Sequence, residues 1–203
     1  MKISSLILLA SILTLPVAAQ SQQESAVRAF GGSPDLERAS TRVVFFDTAN
    51  QRFLGEVEIA YGRPEWRQDY EDSENFDAVT EGKQIRFGKN FWASLDTNVP
   101  LKMNGLEVGP GLYYLGISRN QDDEWHLLLF DPARVRAERL DASQTPQAAP
   151  AQRIPMTKSV SGIEKEELTV SFSYDQSDPG KMSLRIEWGP HQLTAPVIVD
   201  LGN

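Results

Sequence analysis

The sequence predicts an all-β fold, a single antiparallel β-sandwich with at most one short helix. The first observation is that apolar and polar residues alternate strictly in residues 168–174 and 182–188, and again near the C-terminus in 193–199. Such a period of two places every second side chain on one face of a sheet, as in half-buried antiparallel strands. The second observation is that turn residues separate these segments at intervals typical of sandwiches and barrels.

The earlier strands show the same period. In residues 53–61, Phe53, Val57, Ile59 and Tyr61 alternate with polar or small residues, which predicts a strand with these four side chains on its apolar face. In segments 168–174 and 182–188 the period predicts a shared buried face, formed by Val170, Phe172, Leu184, Ile186 and Trp188.

Three turns are predicted between strands. Asn104-Gly105 is the strongest hairpin signal, because a type I′ turn needs positive φ at both central positions. Residues 121–123 and 178–180 predict two further turns, the second of them joining segments 168–174 and 182–188.

One segment is predicted to be helical. Asp131 is a suitable N-cap and Pro132 a suitable first residue for a short helix that extends through Arg139. Residues 143–152, which contain two prolines and three alanines, are interpreted as a flexible loop within the same domain.

The N-terminus has the layout of a secretory signal peptide. Lys2 precedes an apolar segment, residues 3–16, and small residues before Gln20 predict cleavage after Ala19. The apolar segment is shorter than the roughly 20 residues of a spanning helix, so we expect no stable membrane insertion after cleavage.

The predicted organisation has three parts. Residues 1–19 are the signal peptide, residues 20–40 form a flexible polar tail, and residues 41–203 form the β-sandwich domain. The expected location is therefore periplasmic or secreted.

Composition excludes several classes of function. The chain has a formal net charge of -8, and an acidic surface repels phosphate backbones, so nucleic acid is not expected as a partner. It has no cysteine, which excludes thiol catalysis and Cys-ligated zinc. Together with a signal peptide, this favours a bacterial envelope protein over a disulfide-rich secreted domain.

The sequence contains no catalytic or metal-binding motif that we can identify. Its two histidines, His126 and His191, lie far apart, and neither has a zinc-enzyme spacing or an accompanying Gly-x-Ser-x-Gly elbow. We therefore assign no catalytic residue, no metal ligand and no cofactor. The acidic residues within 69–77 allow the hypothesis of a calcium site, because calcium binds clustered carboxylate oxygens. The favoured interpretation of this segment is a solvated loop.

Two polar and aromatic segments define a candidate ligand-binding groove. The first is Tyr61-Gly62-Arg63-Pro64, which ends a predicted strand, and the second runs from Arg86 to Trp92. The predicted site consists of Tyr61, Arg63, Arg86, Asn90 and Trp92. Guanidinium groups facing a common cleft would offer paired donors to an anionic or polyhydroxyl ligand. The alternative is that each arginine only fixes its own turn by hydrogen bonds.

These segments carry a resemblance to a known family. Together with Asn104-Gly105, the Gly109-Pro110-Gly111-Leu112-Tyr113 segment and Trp125, they resemble the bacterial exported family called domain of unknown function 2911. The similarity extends from about Phe53 to the C-terminus. It implies an exported β-rich domain and supplies no established activity.

The chain departs from the family pattern in its second motif. That pattern reads Trp-Arg-x-Gly-Ala-Asn-Glu-x-Thr, and this sequence keeps its Arg, Gly and Asn as Arg86, Gly88 and Asn90. The Trp, Ala, Glu and Thr positions are occupied here by Ile85, Lys89, Phe91 and Ala93. Any chemistry that depended on the glutamate would be lost from this member.

The leading functional hypothesis is a non-catalytic envelope protein that binds a small-molecule or protein ligand through this groove. One alternative is a hydrolase that uses carboxylates on sandwich loops to cleave glycans. Another is a structural interaction module. A cleft lined by aromatics and arginine favours binding, a carboxylate with a strongly raised pKa favours an enzyme, and a large flat apolar patch favours a protein partner.

Overall fold

The computed structural model describes residues 29, 31–32 and 37–202. The predicted signal peptide, its cleavage site and most of the predicted tail lie outside these residues. The chain divides into two units, residues 1–34 and 35–203, and every helix and strand described below belongs to the second. The first strand begins at Arg38, inside the segment predicted as a tail.

The fold is mostly antiparallel β-sheet, as the sequence predicts. The strands are β1 (Arg38–Asp47), β2 (Arg52–Gly62), β3 (Lys83–Arg86), β4 (Ala93–Thr97), β5 (Leu101–Met103), β6 (Leu106–Val108), β7 (Gly111–Arg119), β8 (Trp125–Phe130), β9 (Gln152–Asp175) and β10 (Asp178–Val199). The strand order is β1-β2-β4-β7-β8-β9-β10-β5-β6, and β3 also pairs with β7. The α-helices are α1 (Ser73–Thr80) and α2 (Pro132–Ala137), and Gln68–Glu71 and Ala142–Gln147 form 3-10 helices.

The hairpin of β9 and β10 confirms the predicted register. Leu184 lies opposite Phe172 and Ile186 lies opposite Val170. Val170, Leu184 and Ile186 are buried, whereas Phe172 and Trp188 are partly buried and pack against the core. The turn is not at 178–180, as predicted, but at residues 176–177. The reason is that the Asp175 carboxylate accepts hydrogen bonds from the backbone N–H and the hydroxyl of Ser177, which closes the turn earlier.

The remaining predicted turns and the predicted helix are confirmed. Asn104 and Gly105 both have positive φ between β5 and β6, and residues 121–123 separate β7 from β8. In α2, the Asp131 carboxylate caps the Ala133 N–H at 2.8 Å and Pro132 is the first residue. This helix ends two residues earlier than Arg139.

The sheet bends so that β9 contacts the chain just after β2. The Trp66 N–H donates to the Glu166 carbonyl at 2.6 Å, and the Leu168 N–H donates to the Pro64 carbonyl at 3.0 Å. Because the start of β9 also pairs with β8, these bonds join two distant parts of the sheet around the core. This closure forms one end of the cavity described below.

Most of the apolar core lies inside this folded sheet. Its fully buried members include Val57, Ile59, Leu95, Leu127 and Leu184. A smaller cluster lies on the outer face of β8, where Leu128 and Phe130 pack against α2 and neighbouring residues. Burial on both faces explains the continuous apolar run of β8.

Residues 143–152 are not a flexible loop, so that interpretation is wrong. Asp141 and Gln144 form a capping box that starts the 3-10 helix Ala142–Gln147, and Thr145 is fully buried. The Gln84 side-chain amide donates to the Thr145 carbonyl at 2.5 Å and to the Ala148 carbonyl at 2.7 Å. These bonds fix the segment against β3.

The acidic segment 69–77 is helical rather than a loop, so the fold has more short helices than the one expected. Asp72 caps α1 by accepting from the Glu74 N–H at 3.0 Å, and Phe76 and Thr80 are its buried side chains. Among the residues that the structure describes, no helix has both the length and the apolar character needed to cross a membrane.

Candidate functional site

The two sequence motifs meet through their glycines. A Cβ on Gly88 would overlap the carbonyl oxygen of Gly62, and a Cβ on Gly62 would overlap the carbonyl oxygen of Lys89. Gly88 also has φ +82°, which favours glycine. The two loops therefore pack backbone against backbone, which only residues without a side chain allow.

Glu37, just before β1, holds both loops. Its carbonyl accepts a hydrogen bond from the Arg63 N–H at 2.8 Å. Its carboxylate contacts the Lys89 Nζ at 3.1 Å and accepts from the Asn90 Nδ2 at 3.2 Å. Asn90 is thus a structural contact in a left-handed backbone conformation, with φ 65°, that Asn tolerates.

Tyr61 and Arg63 also have partners within the fold. Tyr61 is buried, its hydroxyl accepts from the Val170 N–H at 3.0 Å, and its ring meets Phe87 edge to face. The Arg63 guanidinium forms an ion pair with Glu167 on β9. Both residues tie the end of β2 to other parts of the sheet.

Trp92 belongs to the smaller apolar cluster. Its indole stacks on Tyr114 with ring centroids 5.2 Å apart, and its Nε1 donates to the Leu140 carbonyl at 3.2 Å. Of the five predicted site residues, only Arg86 lines the cavity described next. A groove that uses all five side chains stays a prediction.

A cavity of about 400 Å³ lies at the end of the folded sheet, beside the 3-10 helix Gln68–Glu71 and α1. Its walls are mostly apolar, and five aromatic side chains contribute to them. These are Tyr70, Phe76, Phe87, Trp125 and Trp188. Aliphatic side chains from β7, β9 and β10 form the floor, including Ile117, Leu168 and Ile186.

Trp66 is not among the residues that line the cavity, but its indole packs against two aromatic side chains that do. Its ring centroid lies 5.5 Å from that of Tyr70 and 5.0 Å from that of Trp188, both in edge-to-face geometry. Gly189 has φ +55°, and a Cβ there would overlap the Trp66 indole. The Trp188 Nε1 donates to the Pro64 carbonyl at 3.0 Å, which fixes the second indole.

His191 contributes a half-buried imidazole to the same wall. It stacks on Phe76 with centroids 4.4 Å apart and an interplanar angle of 16°. Burial lowers the pKa of His191, and the charges of Lys158 and Arg119 lower it further, while Asp123 and Asp77 act in the opposite direction. The neutral imidazole is therefore favoured in this wall.

Asp123 binds two of the residues that line the cavity, Trp125 and Lys158. Its carboxylate accepts from the Arg119 Nε at 2.6 Å, from the Trp125 Nε1 at 2.9 Å and from the Lys158 Nζ at 2.9 Å. Burial alone would raise the pKa of Asp123, but hydrogen bonds from Lys158 and Trp125, together with the Lys158 charge and the Arg119 hydrogen bond, lower it to about 2. This carboxylate therefore stays ionised and fixes two cavity residues, Trp125 and Lys158.

The described residues form no candidate metal centre. No group of three or more His, Cys, Asp or Glu side chains in the described ranges lies close enough to hold a metal ion. The acids of segment 69–77 instead serve the fold, since Asp69 pairs with Arg67 and Asp77 pairs with Arg119. Neither His126 nor His191 makes a side-chain hydrogen bond to another described residue.

The sequence matches the family described as "Protein of unknown function (DUF2911)" over residues 47–197. The chain belongs to this family. No curated protein and no solved structure matches it. The DUF2911 region contains every residue that lines the cavity, from Pro64 to Leu193. The family description assigns no activity to that region.

Sequence reasoning finds Arg86 but misses the aromatic wall. Trp66, Tyr70 and Phe76 lie in or beside a segment whose interpretation rests on its acidic residues alone, and Trp188 and His191 come from the other end of the chain. The sequence signal that could have indicated this wall is the occurrence of three aromatic residues within 66–76. Apolar rings in a highly charged segment need an apolar surface to pack on.

Proposed function

We propose that this protein binds a small molecule with a flat apolar part in the cavity beside α1. The observation that carries the proposal is the cavity itself, about 400 Å³ in volume and walled mostly by apolar and aromatic side chains. Small-molecule sites have volumes of roughly 300–1,000 Å³ and combine apolar walls with a few polar groups. The polar residues that line this cavity include Glu65, Arg67 and Lys158.

The wall residues support binding because they are fixed before any ligand arrives. Trp66 holds Tyr70 and Trp188 edge to face, while the Asp123 carboxylate holds Trp125. A ligand that packs against fixed rings loses less binding free energy to side-chain ordering. Flat rings would gain further from offset or edge-to-face contacts, which contribute about 0.5–1.5 kcal/mol per aromatic pair.

We also propose that the protein reaches its site of action by export. The support is the layout of residues 1–19, with predicted cleavage after Ala19 and a periplasmic or secreted destination. The test is the intact mass of protein recovered from an exporting host. A mass that still includes residues 1–19 would contradict the proposal.

The binding proposal is tested with N-phenyl-1-naphthylamine, a neutral apolar dye. We expect its emission to rise on titration and to be excited by energy transfer from Trp125 and Trp188 in the cavity wall. Val79→Trp should weaken dye binding at least about tenfold, because Val79 on α1 lines the cavity and is replaced by a larger ring.

The matched control is Val44→Trp, which adds the same ring at an exposed position on β1 outside the cavity. It should leave dye affinity unchanged. Failure of the wild-type protein to bind the dye, or equal affinities for the two variants, would contradict the proposed function.

A further inference from the structure

His191 brings a polar ring into the mostly apolar wall of the cavity. It lies on β10 two residues before the buried Leu193, and because side chains alternate along a strand, both point to the inner face of the folded sheet. Stacking on Phe76, with centroids 4.4 Å apart, covers one face of the imidazole and leaves the two nitrogen atoms at its edge. Neither nitrogen makes a hydrogen bond to another described residue, so the ring has hydrogen-bonding capacity that the fold does not use.

The environment of His191 favours an imidazole that can accept a hydrogen bond. Burial lowers the pKa of His191, and the charge of Lys158 lowers it further. Arg119 acts in the same direction, whereas Asp123 and Asp77 oppose the shift to a smaller extent. A neutral imidazole has one nitrogen that donates and one that accepts, while a protonated ring offers donors only. A ligand group that donates a hydrogen bond therefore finds an acceptor in this wall.

Lys158 places a hydrogen-bond donor beside His191. It lies opposite Leu193 in the pairing of β9 with β10, so His191 is its diagonal neighbour on the same face of the hairpin. The Lys158 Nζ donates to both carboxylate oxygens of Asp123, at 3.1 and 2.9 Å. An ammonium group has three N–H donors, so one remains for a ligand. One part of the cavity wall thus presents both an acceptor and a donor.

The charges around this part of the wall favour a neutral ligand. Arg67 pairs with Asp69 at 2.5 Å, and Lys158 pairs with Asp123 at 2.9 Å. Glu65 also lines the cavity and would repel an anion. A ligand carboxylate would therefore lose its hydration in an apolar site without gaining an unpaired cation, which is costly. A ligand cation would be repelled by Arg67 and Lys158.

Arg86 borders the cavity but lies on the other face of β3. It shares that face with Gln84, whose side-chain amide donates to the carbonyls of Thr145 and Ala148 on the side of the sheet opposite the cavity. Ile85, between them in sequence, packs against the core and lines the cavity. The β3 strand therefore contributes an apolar side chain, not a charge, to the ligand's surroundings.

We infer that the cavity selects a neutral aromatic molecule that carries a hydroxyl group, and that His191 accepts a hydrogen bond from this hydroxyl. This inference rests on the proposed function. A hydroxyl donates one hydrogen bond and also accepts, so its oxygen can accept from the remaining N–H of Lys158. A methyl group can do neither, and a carboxylate can only accept. The aromatic part of the molecule packs against the fixed rings of Trp125 and Trp188.

The test compares 2-naphthol, 2-methylnaphthalene and 2-naphthoate by their displacement of N-phenyl-1-naphthylamine from the full chain at neutral pH. We expect 2-naphthol to bind more tightly than 2-naphthoate. His191→Phe keeps a ring against Phe76 and removes both nitrogens, so it should weaken 2-naphthol binding about 3- to 10-fold, the range expected for a hydrogen bond between neutral groups. It should leave the affinity for 2-methylnaphthalene unchanged, because that compound makes no hydrogen bond.

The matched control is His126→Phe, which makes the same substitution on β8 outside the cavity. It should leave all three affinities unchanged. Four results would overturn the inference: tighter binding of 2-naphthoate than of 2-naphthol, no displacement of the dye by 2-naphthol, an unchanged 2-naphthol affinity in His191→Phe, or equal weakening of 2-naphthol and 2-methylnaphthalene in that variant. In those cases binding of the dye and its weakening in Val79→Trp still support the proposed function. If the wild-type protein does not bind the dye, the proposed function itself is wrong.

Discussion

Gly62 and Gly88 lie in direct backbone contact, so that a methyl group on Gly88 would overlap the carbonyl oxygen of Gly62. The contact joins the end of β2 to the loop between β3 and β4. It explains why both motifs contain a glycine at this point. The motifs form a structural junction, and Phe87 and Gly88 of this junction line the cavity.

Gly88→Ala should therefore destabilise the fold by more than a left-handed backbone alone requires. A residue with a Cβ in this conformation costs roughly 1–2 kcal/mol, and steric overlap in a packed site typically adds about 1–3 kcal/mol. Gly105→Ala is the control, because Gly105 has φ +83° and a Cβ added there would meet no atom within 4 Å. Equal losses in urea denaturation would show that the contact with Gly62 contributes nothing.

Arg63 should contribute little to stability and nothing to dye binding. Arg63→Gln removes the ion pair with Glu167, and because both side chains are more than a third exposed the loss in unfolding free energy should stay within about 1 kcal/mol. Urea denaturation and titration with N-phenyl-1-naphthylamine measure the two effects. Loss of dye binding in both Arg63→Gln and Arg86→Gln would instead support the predicted groove that contains both arginines.

Leu184 and Ser183 test the register of the β9–β10 hairpin. Leu184 is fully buried, so Leu184→Ala should cost about 2–5 kcal/mol in unfolding free energy. Ser183 is the preceding residue and faces the other side of the strand, so Ser183→Ala should cost little. Similar losses for the two substitutions would indicate a different register.

His191 should make the fold less stable in mild acid. Its pKa is lowered in the folded state, so the unfolded chain binds more protons as the pH falls below the ordinary histidine value of about 6.5. The stability contributed by the neutral imidazole is therefore complete above that pH and is lost as the pH falls through the lower folded-state pKa.

The measurement is urea denaturation of the wild type and of His191→Phe from about pH 7.5 to 5. His191→Phe keeps a ring against Phe76 and removes the titrating group, so its stability should vary less over this interval. His126 is present in both proteins, and its contribution cancels in the comparison. Identical pH profiles would exclude a role for His191.

Local patterns in the sequence predict the strands of the hairpin and the helix α2 well. In β9 and β10 the alternation is set by burial of one face, and this information lies within each segment. The Asp131-Pro132 pair likewise contains both signals of a helix N-terminus, an N-cap residue and a proline at the first helical position. The interpretations of segments 69–77 and 143–152 are wrong, because their helices depend on a few caps and buried residues such as Phe76 and Thr145 rather than on a long apolar period.

The candidate site is only partly predictable, because residues far apart in sequence form it. The motifs identify Arg86, but which residues of this segment line the cavity depends on the pairing of β3 with β7. The partners of Tyr61 and Arg63, Val170 and Glu167, lie on β9 more than a hundred residues later. No spacing within either motif contains this information.

The pairing of residues 64–66 with residues 166–168 also has a consequence for how the protein folds. These two segments are far apart in the sequence, so a long loop must close before they can pair. Contacts between residues distant in sequence slow folding, as in other β-proteins with high contact order. Because β10 supplies Ile186, Trp188 and His191, a nascent chain that lacks this strand has no complete cavity. A ligand would therefore recognise the fully folded chain alone, and its binding would lower the population of every partly folded form at once.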